Sequence, residues 1–208
     1  MLKRNKGLPE NKISIKQRVG ATAGISTPIL AFACILISIA SYPKFSWTNN
    51  ALSDLGIIPG ITGPLFNFGL YASGLLGLIF AVFGLFPFIG KSWLGKIGVS
   101  VFAAATLALI AIGVFNENFS PTHYAVSVAF FVLMPISMFV ITSAFLLKHQ
   151  SKMAIFTVLI GILAALPWVL LFAFNYASNV AIPEFLSGLA ISIWTVTLSY
   201  KIFKQNKE

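Results

Sequence analysis

The chain has 208 residues, of which 58% are hydrophobic and 9% charged, and a formal net charge of +9. A soluble domain carries roughly 25% charged residues, so a water-facing globular surface is excluded and most of the surface must meet lipid. A basic balance elsewhere points to nucleic acid. Here the lysines and arginines sit in short runs between apolar stretches, as topology signals and contacts to anionic headgroups do. Membrane lipids are therefore the expected partners, and nucleic acid is not. The single cysteine, Cys34, allows no intramolecular disulfide. No phosphate-cradling glycine loop, dinucleotide fingerprint or Cys-x-x-Cys pair occurs.

In chain order, residues 1–18 read as a basic tail carrying Lys3, Arg4, Lys6, Lys12, Lys16 and Arg18 against Glu10. The first apolar segment, Val19 to Ser41, suits a membrane span, with Pro28 expected to kink it. Ser38-Ile39-Ala40 resembles a signal-peptide cleavage site, but the segment exceeds the roughly 7–15 residues of a signal core. A polar loop, Ser46 to Gly56, follows. Gly60, Gly63 and Pro64 mark a turn and the start of a second span that runs to about Phe88. Within it Gly69, Ser73, Gly77 and Ala81 recur every four residues and form a small-residue strip. Such a strip suits close helix approach, inside the chain or against a partner membrane protein or second copy. The third span covers about Ile97 to Phe115. Ser120 and Pro121 are expected to cap and open a fourth, Thr122 to Leu147, with Pro135 inside it. The fifth runs from about Met153 to Asn175 with Pro167 inside, and the sixth from Glu184 to Phe203.

The predicted fold is all-α: an integral membrane bundle of six helices over residues 19–203, flanked by tails at 1–18 and 204–208. Thirteen of the fourteen lysines and arginines fall on the side of the termini, and only Lys44 on the other. The positive-inside rule then places both termini in the cytoplasm of a multi-pass protein of the cell membrane. Tyr42, Trp47, Tyr124 and Tyr176 fall near one boundary and Trp93 and Tyr200 near the other, as aromatic belts require.

All three acids away from the termini, Asp54, Glu117 and Glu184, fall on the side opposite the termini, together with His123. Asn49, Asn50, Ser53, Asn116, Asn118, Asn175 and Asn179 add polar groups at that level. Ionisable groups near membrane depth are expensive unless paired or hydrated, so inward-facing ones tend to converge. Asp54, Glu117 and His123, with Glu184, are candidates for a divalent-metal site or for an acid/base set. The plainer alternative assigns structural roles. Ser53-Asp54 would cap a short turn ended by Gly56, Glu117 would be a solvated loop residue, and Glu184 would suit the dipole of a helix start. Asn67 and Ser73 are the polar hooks of the second span.

Asn49-Asn50-Ala51-Leu52-Ser53-Asp54-Leu55-Gly56, after Tyr42-Pro43, resembles the signature of the membrane-protein family catalogued as domain of unknown function 998, whose members are mainly archaeal and bacterial. Phe66-Asn67, Gly113-Val114-Phe115-Asn116-Glu117 and His123 continue the match, which covers about Ile25 to Phe203. A similar Ser-Asp element occurs in eukaryotic six-span proteins of the autophagy-modulator and post-GPI-attachment kind. The resemblance implies a helical bundle of about six spans and draws attention to Asp54, Glu117 and His123; Glu184 falls outside the pattern. It implies no activity.

Three functions follow as expectations. The first is binding of a lipid headgroup, ion or partner subunit at Asn49, Asn50, Ser53, Asp54, Asn67, Asn116, Glu117, His123 and Glu184. The second is an interfacial hydrolase or transferase acting on a lipid-linked substrate, with or without a metal. A proton-coupled transporter comes third, because no acid or base lies at mid-span depth.

Overall fold

A computed structural model describes residues 13–89 and 92–205. The first twelve residues of the basic tail, together with Lys91, Lys207 and Glu208, lie outside that range. Among the described residues every regular element is helical. Six helices are long and apolar enough to cross a membrane: α1 (Ile15–Ala40), α2 (Thr62–Ile89), α3 (Trp93–Val114), α4 (Thr122–Leu147), α5 (Ser151–Phe174) and α6 (Ala181–Lys204).

Local chemistry moves several boundaries from their expected places. α1 begins before Val19 because Ser14 and Gln17 form a capping box, with the Ser14 side chain accepting from the Gln17 N–H. α3 begins before Ile97 because Ser92 caps it through the Gly95 N–H. The expectation for Ser120 and Pro121 needs correction. Pro121 is itself the N-cap residue of α4, and Ser120 ends a short 3-10 turn, Glu117–Phe119. α6 starts at Ala181, so Pro183 lies in its first turn, where a missing N–H is harmless. Pro28, Pro135 and Pro167 all stay inside their helices. α2 contains a π-helical stretch at Phe80–Leu85 that the apolar pattern did not signal.

Each helix packs on its sequence neighbour, and α6 returns to α1, closing a ring. One end gathers the start of α1, the α4–α5 connection and the end of α6 around a groove lined by Gln17, His149, Lys152, Lys201 and Lys204. There Lys148 Nζ donates to the Phe88 carbonyl at 3.1 Å. The other end gathers the loops that follow α1, α3 and α5.

Inside the ring, helix hydroxyls turn back on their own backbone. Thr142 donates to Met138 O and Ser199 to Thr195 O, which satisfies polar groups where water is absent. Between α5 and α6, Trp168 Nε1 donates to Ser187 Oγ and the fully buried Trp194 donates to Thr157 Oγ1. The strip Gly69, Ser73, Gly77 and Ala81 is buried throughout. A Cβ at Gly69 would strike Cys34 of α1, and one at Gly77 would come within 2.8 Å of the Thr106 methyl of α3. The strip thus packs within the chain, the first of the two roles its spacing suggested.

Candidate functional site

The loop after α1 does not hang into solvent. Ala51, Leu52, Ser53, Leu55 and Gly56 are buried, and Ser53–Ile57 forms a 3-10 turn that closes the end of the bundle. Apolar Leu52 and Leu55 drive that burial. Hydrogen bonds then satisfy the backbone that follows them inward. Asn67 Nδ2 donates to Gly56 O at 2.8 Å, and the Ser178 and Asn179 N–H groups both donate to Thr48 O. Ala181 N donates to Asn50 O, and Asn179 Nδ2 reaches Asn49 O. Edge-to-face contacts from Phe45 to Trp47 to Phe185 to Phe32 pin the outer part of the loop onto α6 and α1. Trp47, expected in an interfacial belt, therefore also anchors this loop.

Three carboxylates are organised around the same turn. Asp54 Oδ2 accepts from Asn50 Nδ2 at 2.7 Å and from the Ala51 N–H at 3.0 Å, which fixes the backbone ahead of the 3-10 turn. Glu184 Oε2, from the first turn of α6, accepts the Leu52 N–H at 2.6 Å. Glu117 Oε1 accepts from Ser53 Oγ at 2.7 Å. The Ser53 hydroxyl thus bridges to the loop after α3 and does not cap its own turn. Asn116 caps the neighbouring 3-10 turn through the Asn118 N–H. His123 is buried at the start of α4; its Nδ1 lies 2.7 Å from Phe115 O and its Nε2 3.4 Å from Ser127 Oγ. A proton on Nδ1, donated to the carbonyl, leaves Nε2 as an acceptor for Ser127.

Burial pushes the Glu117 carboxyl above the ordinary glutamate value. The neighbouring Asp54 adds to this by charge and by hydrogen bonding, against the opposing Ser53 hydroxyl and His123. A carboxyl whose folded-state pKa is raised stabilises the fold below its unfolded pKa and loses that contribution as pH rises through the folded value. The thermal midpoint of the protein should therefore fall as pH climbs from about 4.3, the unperturbed glutamate value, through the raised one. Glu117→Gln should flatten that slope, and an unchanged slope in the variant would reassign it to another group.

Beneath the turn lies a cavity of about 110 Å³, lined from every helix except α5. Ser53, Leu52 and Glu184 meet it from the loop end. Phe66 and Leu70 of α2, Phe102 of α3 and Phe130 of α4 line its apolar body. Of the three acids, Glu184 lines this space directly, Glu117 reaches its rim through the Ser53 hydroxyl, and Asp54 holds the turn above it. None of the three carboxylates is paired with a lysine or arginine among the described residues.

Of the candidates read from sequence, Asn50, Ser53, Asp54, Glu117 and Glu184 are joined by hydrogen bonds to this turn. Asn49 and Asn67 hold it by backbone contacts. Glu184 is drawn directly against Leu52. Among the described residues no three His, Cys, Asp or Glu side chains are placed to hold one metal ion, so Asp54, Glu117 and His123 do not form a ligand sphere. Sequence reading missed Ser127, although its place four residues after His123 puts the two on one helix face. It also missed the Leu52 N–H and the cavity, which carry no signal in residue type.

No curated protein and no solved structure matches the chain. A family model does, over residues 25–201, under the description "Protein of unknown function (DUF998)". With most of its length matched, from within the first helix to near the end of the sixth, the chain belongs to that family.

Proposed function

We propose that this is a binding protein of the cell membrane, with both termini cytoplasmic, that holds a lipid bearing an ammonium headgroup. Its head would lie against Asp54, Glu117 and Glu184, and its chain would fill the central cavity. The observation that carries this reading is that Glu184, which has no lysine or arginine partner among the described residues, lines an apolar shaft beside Ser53, the hydroxyl that Glu117 holds. Charge complementarity selects a cation for the roof, and the lining selects a hydrocarbon chain below it. The orientation rests on the thirteen basic residues on the side of the termini. A cysteine placed at the exposed Asn49 should react with a membrane-impermeant thiol reagent on intact cells. Labelling only after lysis would invert the topology.

The test of binding is the lipid that survives purification in mild detergent, measured by mass spectrometry. Wild type should retain an amine-headed lipid in near-stoichiometric amount. Gly188→Leu should lose it, because Gly188 lines the cavity, a Cβ there finds ordinary contact with Phe32 at 3.6 Å, and the rest of the added side chain takes up ligand space. Equal lipid content in both proteins would sink the proposal.

A second reading, hydrolysis or acyl transfer on a lipid-linked substrate, is favoured by one observation, the Ser127–His123 contact at the cavity wall with the imidazole oriented by Phe115 O. His123→Ala would then abolish turnover of a lipid ester while leaving lipid retention intact. Loss of retention without any measurable turnover in wild type favours the binding reading.

A further inference from the structure

Six hydroxyls that line the cavity have partners. Thr27, Thr106, Ser192 and Thr195 donate to carbonyls of their own helices, Ser53 donates to Glu117, and Ser127 meets His123. Ser73 is the exception. It is fully buried in α2, it lines the cavity, and its Oγ has no hydrogen-bond partner among the described residues. Orphaned buried hydroxyls are rare because leaving one unsatisfied costs roughly 1–3 kcal/mol. The four hydroxyls bonded to their own helices show the available remedy, a bond to a backbone carbonyl one turn back, and Ser73 does not take it.

Ser73 lies well below the roof. It follows Phe66 by seven residues along α2, a descent of about 10 Å. A plain saturated chain would leave its hydroxyl unmet. A single buried water ordinarily makes about three hydrogen bonds, and the other lining donors are already engaged.

We infer that the lipid held in this cavity carries an oxygen acceptor part-way along its chain, placed to receive the Ser73 hydroxyl. This rests on the binding reading above and specifies its ligand: an ammonium head, an apolar chain and one internal carbonyl, ether or hydroxyl oxygen. Ser73 would then select among lipids that share a headgroup, because a site built to hydrogen-bond a group discriminates against analogues lacking it.

The experiment is calorimetric titration of the detergent-solubilised protein with straight-chain alkylamines of one length. The series comprises the parent amine and derivatives with a single keto oxygen at successive carbons. Affinity should peak at one position, about fivefold above the parent, as one net hydrogen bond provides. Ser73→Ala should bind the parent amine as wild type does and show no peak. A flat series in wild type, or a peak that survives Ser73→Ala, overturns the inference and leaves the binding reading standing. Failure of wild type to bind the parent amine overturns both.

Discussion

Glu184→Ala is expected to lower the thermal midpoint and release the bound lipid, whereas Glu184→Gln should do only the second. The Glu184 carboxylate accepts the Leu52 N–H at 2.6 Å, and Leu52 is buried. Alanine leaves that donor unsatisfied, which costs roughly 2 kcal/mol, equivalent to roughly 4–8 °C for a chain of this size. Glutamine keeps an amide oxygen to accept the same bond, so the turn should stay closed. It removes the charge, however, and a charge-assisted hydrogen bond to an ammonium is worth roughly 1.5–3 kcal/mol, tenfold or more in affinity. Thermal unfolding and lipid retention, measured on both variants, separate the two roles. If glutamine retains the lipid fully, the charge of Glu184 has no part in binding.

The largest effect on the fold is expected from Gly20→Ala. Gly20 of α1 faces the π-helical part of α2 so closely that a Cβ would overlap Gly84 N and lie 2.5 Å from the Phe83 carbonyl carbon. Both obstacles are backbone, so no side-chain rotation relieves them, and the two helices must separate. Overpacking typically costs 1–3 kcal/mol, and a clash with backbone belongs at the upper end, about 3 kcal/mol. The yield of folded protein from membranes should drop sharply. Gly188→Ala is the control, since its Cβ finds ordinary contact with Phe32 at 3.6 Å. Equal yields for the two variants would show that the α1–α2 crossing tolerates more space than its geometry implies.

Six spans were legible because hydropathy over some twenty residues reports the solvent directly. The gathering of Asp54, Glu117 and Glu184 at one end was legible for a related reason, since topology assigns each loop to a side. Their mutual contacts were not. Whether Ser53 caps its own turn or reaches Glu117 depends on where the loop after α3 lands, and residue type does not encode that. Ser73 could be read both as a member of a small-residue strip and as a polar hook, and in the structure it is buried in the strip with its hydroxyl unmet. The π stretch at Phe80–Leu85 was invisible because π and α helices share the same apolar residues. Its position opposite Gly20 appears only once α1 and α2 are brought together.

The hydrogen bonds from Ser178 and Asn179 to Thr48, and from Leu52 to Glu184, tie the earliest connection of the chain to its latest. A nascent polypeptide threading into the bilayer therefore cannot complete this closure until residue 184 has left the ribosome.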